Sequence, residues 1–231
     1  MDKRFIIDVV IPAYNEEKSI GLVIKDIPKH LVRHIIVCNN LSTDKTAYLA
    51  SSSGAIVVNS TKKGYGSACL SGIQYLDELT HLPDIVVFLD GDYSDYPEQI
   101  TDLVAPIIND NIDLVIGSRA LGNQESGSMT IPQIFGNWLA TTLIRFIYNY
   151  RFTDLGPFRA IRYSKLVELK MNDQDFGWTV EMQVKAAKLN FKCTEVPVNY
   201  KRRIGVSKVS GTIKGTLMAG YKILWTIFRL I

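Results

Sequence analysis

Four short apolar runs, each ending in a polar or glycine-rich loop, constrain this 231-residue chain more than any other feature. The runs cover residues 5–12, 34–38, 55–59 and 85–89, and the loops after them read AYNEE, NNLSTDKT, TKKGYG and DGDYSDYPE. A fifth run lies at 114–117, and helix-like stretches near 18–27, 43–51, 66–79 and 98–108 separate the five. Strands alternating with helices predict an α/β fold with a mostly parallel sheet covered on both faces. In open sheets of this kind ligands sit beyond the carboxyl ends of the strands, so the four loops are expected to converge on one crevice. The first run follows Lys3 and Arg4, but Asp8 interrupts it and no cleavage site follows, so it is read as a strand and not as a secretory leader.

The second half loses this alternation. It offers a helix at 133–150, a loop through Asp154, a helix at 178–189, a strand at 192–198, a basic loop and an apolar helix at 213–231. No internal repeat or low-complexity linker interrupts the chain, which predicts one domain over 1–231 with halves at 1–120 and 121–231. Charge is uneven along it. Seven of the 26 cations and none of the 23 acids follow Glu195. A basic end of this kind favours an anionic partner, such as a diphosphate, a phospholipid or a membrane surface. No nucleic-acid module surrounds it, so nucleic acid is not expected as a partner. The three cysteines, Cys38, Cys69 and Cys193, are far apart and lack metal-ligand spacing, as expected of buried thiols in a reducing cytoplasm.

The segment FLDGDYSDYPE (88–98) carries the strongest chemical signal. A buried strand there delivers Asp90 and Asp92 at its polar end, with Gly91 between them allowing close approach. Hard cations such as Mg²⁺ or Mn²⁺ take oxygen ligands, and one or two carboxylates with substrate phosphates suffice. Other nucleotide-binding and hydrolytic signatures are missing: no GxGxxG follows the first strand, and there is no GxxxxGK[ST], GxSxG or HExxH. The GYG at 64–66, with Lys63 beside it, fits either a phosphate contact or a helix-capping turn.

The ordered set IPAYNEE (11–17), NNLSTDKT (39–46), KKGYGSA (62–68), DGDYSDYPE (90–98), GSR (117–119), DLGPFRAIR (154–162) and RRIGVSK (202–208) resembles glycosyltransferase family 2. Within it, the likeness is to the dolichyl-phosphate mannose synthase and polyprenyl-phosphate glycosyltransferase group, over nearly the whole chain. The resemblance implies a GT-A fold, a UDP- or GDP-sugar donor, a divalent metal (Mg²⁺ or Mn²⁺) and inversion at the anomeric carbon. It further implies a polyprenyl phosphate acceptor at the cytoplasmic face of a membrane, with the same chemistry on a soluble or glycan acceptor, or a non-catalytic nucleotide-sugar-binding module, as the alternatives. Residues 1–120 then form the donor half and 121–231 the acceptor half.

Carried over position by position, Ala13, Tyr14 and Glu16 would frame the base and ribose, and Asn39 or Asn40 would recognise the base. Lys63 and Gly91 would join them, with Asp90 at the ribose or metal, Asp92 on the metal and Arg119 toward the diphosphate. The family usually has an acid where Asn39 stands and glycine at Leu41, which leaves uridine and guanosine both open. Ser94 stands where the mannose synthases place a further metal-binding side chain. Asp154 opens the acceptor loop, which includes Arg159, and is the expected base or orienting acid, with Glu181 as its rival. Trp178 would stack on a sugar, line a lipid groove or sit in the core. Arg202, Arg203, Ser207 and Lys208 resemble the basic loop that closes over phosphates, with too few acids nearby to balance them; the spacing fits either arginine. Lys214, Lys222 and Arg229 share one face of the last helix. That helix is expected either at a membrane interface or packed on the domain or in a dimer.

Overall fold

A computed structural model describes residues 5–205 and 213–231. Its centre is a seven-stranded sheet. The strands are β1 (Ile7–Ala13), β2 (His34–Asn39), β3 (Ile56–Asn59), β4 (Ile85–Phe88), β5 (Leu114–Ser118), β6 (Arg159–Arg162) and β7 (Cys193–Pro197). They lie in the order β3-β2-β1-β4-β6-β5-β7. All pairs are parallel except those of β6, which runs antiparallel to both β4 and β5. The helices are α1 (Ile20–Asp26), α2 (Thr46–Ser52), α3 (Tyr65–Asp77), α4 (Ile100–Asn109), α5 (Ile131–Tyr148), α6 (Tyr163–Leu169), α7 (Trp178–Lys188) and α8 (Ile213–Arg229). Sheet and helices together form the expected GT-A type of α/β architecture.

Every residue of β1 is buried, as befits a strand with helices on both faces. The one acid in it, Asp8, is matched by the Arg33 guanidinium and by the backbone N–H of His34, so the charge that argued against a leader is satisfied inside the fold. Gly72 lets α3 lie close on the sheet: a Cβ there would come within 2.6 Å of Val10 and 2.7 Å of the Cys38 sulfur. Two buried clusters cover the opposite faces of the sheet. Phe88, Ile116, Ile144, Trp178 and Met182 belong to one, and Val9, Ile24, Val87, Leu103 and Phe158 to the other.

Two elements depart from the expected sequence of strands and helices. The expected acceptor loop from Asp154 gives way to a strand, β6, and the unassigned stretch after it forms α6. β6 is four residues long, with an arginine at each end, and it inserts between β4 and β5. This insertion separates the parallel β3-β2-β1-β4 block from the β5–β7 pair.

Candidate active site

The loops after β1, β2, β3 and β4 meet in a cleft of about 690 Å³, lined among others by Ala13, Tyr14, Glu16, Asn40, Lys63 and the Asp90–Asp92 segment. They converge because β1 lies between β2 and β4 and all four strands run the same way. A second cavity, of about 280 Å³, adjoins the first, and the two share Tyr65, Asp90, Phe176 and Arg203. Its other walls include Arg119, Met129, Pro132 and Leu155, with Gly220 and Ile223 from α8.

Asp90 and Asp92 are the side chains that could hold a cation. Burial, then the neighbouring Asp92 charge, pushes the Asp90 carboxyl up to about 7, while Arg203 and a 3.0 Å hydrogen bond from the Tyr65 hydroxyl pull it back. A divalent ion would relieve this repulsion, so the pair fits one. Asp92 is 3% exposed; it accepts hydrogen bonds from the Ser94 N–H at 2.9 Å and hydroxyl at 2.5 Å, and pairs with Arg203. Ser94 thus bonds to Asp92 where the resemblance places a metal-binding side chain. Among the described residues no group of three or more His, Cys, Asp or Glu side chains could hold a metal, so donor phosphates and water would complete the shell. Gly91 lines the cleft, but a Cβ there would make ordinary 3.5 Å contacts. Close packing within the protein does not explain that glycine.

In the loop after β2, the Asn40 amide donates to the Gly64 carbonyl at 2.8 Å and accepts from its N–H at 3.2 Å. Both ends of Asn40 are therefore used in pinning the next loop. Asn39 donates to Asn59 at 2.9 Å and accepts from the Ser42 N–H. Leu41 has φ 59°, the left-handed conformation that favours glycine, which accounts for the glycine expected there. The GYG segment forms the turn that starts α3, and Lys63, Gly64 and Tyr65 also line the cleft. Gly64 (φ 137°) precedes α3, and a Cβ on Gly66 would lie 2.0 Å from the Asp173 carbonyl. Lys63 lies over the Tyr14 ring, 4.4 Å from its centroid.

Arg119 lines the second cavity and not the first. It grips Asp154 through two side-chain bonds of 2.8 and 2.7 Å, and its backbone N–H adds a third of 2.8 Å. Burial works against the Arg119 charge, but Asp154 outweighs it and raises the guanidinium above its ordinary range. Asp154 is 1% exposed.

Several expectations are corrected here. Glu181 is fully buried; it accepts the backbone N–H groups of Asn172 and Asp173 and pairs with Lys185 at 2.8 Å, so it is a structural anion with no path to a substrate. Arg159 is also fully buried and donates to the carbonyls of Leu155, Gly156 and Thr179. It ties residues 155–156 to α7 and lines neither cavity; burial depresses it to about 10. Trp178, likewise fully buried, packs edge-on against Phe88 at 4.6 Å, which takes the core alternative. Arg202 turns outward to Glu125 and the Ser126 carbonyl, whereas Arg203 enters the site, so the structure separates the two. Acids therefore do balance the basic end: Asp92 meets Arg203, Glu125 meets Arg202, and Asp173 meets Lys222 at 3.1 Å. Ser207 and Lys208 lie outside the described residues, as does the side chain of Lys214.

Sequence reasoning passed over three neighbours. Tyr65 and Phe176 line both cavities; Tyr65 stood in plain view inside GYG, while nothing in the sequence marks Phe176. Asp95 belonged to the acidic segment. It is 1% exposed, and among the described residues its carboxylate oxygens have no hydrogen-bond partner. Burial, then Asp90 and Asp92, hold its carboxyl well above the ordinary range.

A family model described as glycosyl transferase family 2 matches residues 8–169. An uncharacterised glycosyltransferase of Mycobacterium tuberculosis is 33% identical, over 92% of this chain and 94% of that protein. A dolichyl-phosphate hexose transferase of Haloferax volcanii is 30% identical, covering 87% and 85%. Among solved structures, the fold is similar to glucosyl-3-phosphoglycerate synthase from Mycobacterium tuberculosis in complex with Mn²⁺, UDP and phosphoglyceric acid. The TM-score is 0.77 and the identity 22%, over 98% of this chain and 78% of that one.

Proposed function

The chain belongs to glycosyl transferase family 2, and on that premise we propose that it moves a hexose, with inversion, from a UDP- or GDP-sugar to a polyprenyl phosphate. The cleft between Tyr14, Asn40, Lys63 and Asp92 takes the donor nucleotide. Asp90 and Asp92 hold Mg²⁺ or Mn²⁺, as the synthase of similar fold was solved with Mn²⁺ and UDP. Bound there, the ion supplies charge neutralisation of the departing diphosphate.

One observation carries the choice of acceptor. The second cavity brings Asp90, Arg119 and Arg203 together with the apolar residues Met129, Pro132, Leu155 and Ile223. Cations at one part and apolar walls at another suit an amphiphile with a phosphate head. A relative named as a dolichyl-phosphate hexose transferase supports the same class. A phosphate acceptor is already ionised, so Asp154 has little proton to remove. Its part is to hold Arg119 where the acceptor phosphate arrives, near the shared Asp90. Residues 1–120 thus supply most of the donor cleft and 121–231 most of the acceptor cavity, with Arg119 and Arg203 crossing that division.

In this reading the enzyme works at the cytoplasmic face of a membrane with α8 as a peripheral contact. Among the described residues no helix is long and apolar enough to cross a bilayer. The test is a donor screen with Mn²⁺, measuring nucleotide release with polyprenyl phosphate, with 3-phosphoglycerate and with no acceptor. Release stimulated by polyprenyl phosphate supports the reading; release stimulated only by 3-phosphoglycerate replaces it with a soluble phosphorylated acceptor.

A further inference from the structure

The cleft proposed for the donor contains a carboxylate to which neither metal binding nor acceptor alignment gives a role. Four acids line that cleft: Glu16, Asp90, Asp92 and Asp175. Glu16 accepts from the Ser19 hydroxyl at 3.1 Å, Asp90 accepts from the Tyr65 hydroxyl at 3.0 Å, and Asp92 is met by Ser94 and Arg203. Asp175 is half-buried, and among the described residues no side chain hydrogen-bonds or ion-pairs with its carboxylate. Burial, then the nearby Asp173, raises its carboxyl above the ordinary range, while Lys222, which pairs with Asp173, pulls it part of the way back. A half-buried acceptor that faces a cleft gains when a bound ligand brings hydroxyl donors to it.

The loop that carries Asp175 is held in place by its neighbours. The Gln174 carbonyl accepts the Ser67 N–H at 2.9 Å and the Ser67 hydroxyl at 3.1 Å, which ties the loop to the first turn of α3. A Cβ on Gly64 would fall 2.2 Å from the Gln174 carbonyl, so the glycines of that turn let the loop sit directly on it. Asp173 accepts the Asp175 N–H at 2.8 Å and pairs with Lys222 of α8 at 3.1 Å. A carboxylate on so fixed a backbone loses little freedom when a ligand arrives. Phe176, next in the chain, lines both the cleft and the second cavity, whereas Asp175 lines the cleft alone. A sugar whose diphosphate rests at Asp90 and Asp92, and which leaves toward the second cavity, lies at this junction. There an aromatic ring can cover the apolar C–H face of a pyranose. A carboxylate, an acceptor with two oxygens, can take two neighbouring hydroxyls. It also repels a sugar that carries a carboxylate of its own, and Asp173 adds to that repulsion.

We propose that Asp175 reads the sugar of the donor: its carboxylate accepts two adjacent hydroxyls of a neutral hexose while Phe176 covers the ring, and hexuronic acids are refused. The assignment rests on the donor reading above and narrows its sugar class. It does not depend on the acceptor, so the test is a binding measurement with no acceptor present.

The full chain, Asp175→Ala and Asp175→Asn, each checked for an unchanged thermal transition, are titrated calorimetrically in the presence of Mn²⁺. One series uses UDP, UDP-glucose and UDP-glucuronic acid; the other uses GDP, GDP-mannose and GDP-mannuronic acid. In the series that binds, the intact chain should hold the neutral sugar nucleotide about ten-fold more tightly than its uronic counterpart. Asp175→Ala should weaken the neutral donor about ten-fold, the loss of one hydrogen bond to a charged group. The same variant should leave the nucleoside diphosphate within about two-fold, because only the sugar reaches Asp175. Asp175→Asn should narrow the gap between the neutral and uronic donors. A uronic donor that binds the intact chain as tightly as the neutral one overturns the assignment. So does an Asp175→Ala variant that holds the neutral donor as the intact chain does, or that loses the nucleoside diphosphate equally. If no sugar nucleotide of either series binds the intact chain, the donor reading falls and Asp175 falls with it.

Discussion

The larger cleft and the cavity beside it, proposed above to take donor and acceptor, share a wall yet are built in different ways. The cleft is made where four parallel strands stop, and most of its lining comes from the loops immediately after them, with Phe176, Arg203 and Met218 added from later segments. The cavity is lined by α5, α7 and α8, by the segment before the antiparallel β6 and by the start of the basic loop, from segments distant in sequence. Each region contains a nearly buried aspartate answered by an arginine: Asp92 by Arg203, across 111 positions, and Asp154 by Arg119, across 35. In the first region the arginine stands where a metal would also draw on the carboxylate. In the second the pair is bidentate and self-sufficient. Asp92 therefore has a partner to exchange, whereas Asp154 has a partner to hold.

Four substitutions press on that contrast. The largest effect belongs to Asp92→Asn, which removes both a cation ligand and its charge. Transfer should fall about 10³-fold, equivalent to about 4 kcal/mol of lost charge stabilisation, while the circular dichroism spectrum stays the same. Wild-type activity in this variant, or in excess EDTA, would rule the metal out. Asp154→Asn comes next: turnover should drop about 10²-fold because Arg119 loses its fixed position. Nucleotide affinity should stay within about two-fold, because Asp154 lies outside the donor cleft. A collapse of nucleotide affinity would mean that the two regions are not separate.

Arg203→Gln asks whether Asp92 exchanges its partner. Calorimetric titration of Mn²⁺ without nucleotide should show affinity about ten-fold tighter than in the unaltered chain, because a competing cation is gone. Unchanged or weaker affinity would contradict the exchange. The smallest effect on activity is expected for Glu181→Gln. It should cost about 2 kcal/mol of stability, read by urea unfolding, through weakened bonds to the 172–173 backbone and to Lys185. Turnover per folded molecule should stay within about two-fold. A folded, stable variant with little turnover would return Glu181 to the chemistry.

The cleft was legible because its signals are local. Strand periodicity located β1 to β5, and the side chains that matter come within a few residues of each strand's end. The cavity was less legible because its partners are remote. Arg159 and Arg162 bracket β6, and a cation in a loop-like run reads as a phosphate contact; only the fold shows the Arg159 guanidinium occupied by the carbonyls of Leu155 and Gly156 and of Thr179 in α7. Glu181 sat at the start of a predicted helix, where an acid is favoured in any case. Its use as an acceptor for Asn172 and Asp173 depends on how the preceding turn folds back. Arg202 and Arg203 differ by one position, and in an extended segment that decides which faces Asp92 and which faces Glu125.

The proposed function has a sugar pass from a nucleotide in one region to a lipid phosphate in the other, and radiolabelled donor reads that transfer at its product. The chain is incubated with Mn²⁺, labelled UDP- or GDP-hexose and polyprenyl phosphate, then extracted into organic solvent. The expected result is metal-dependent label in the organic phase, released by mild acid as free hexose. Label confined to the aqueous phase with every donor, alongside efficient transfer to 3-phosphoglycerate, would contradict it.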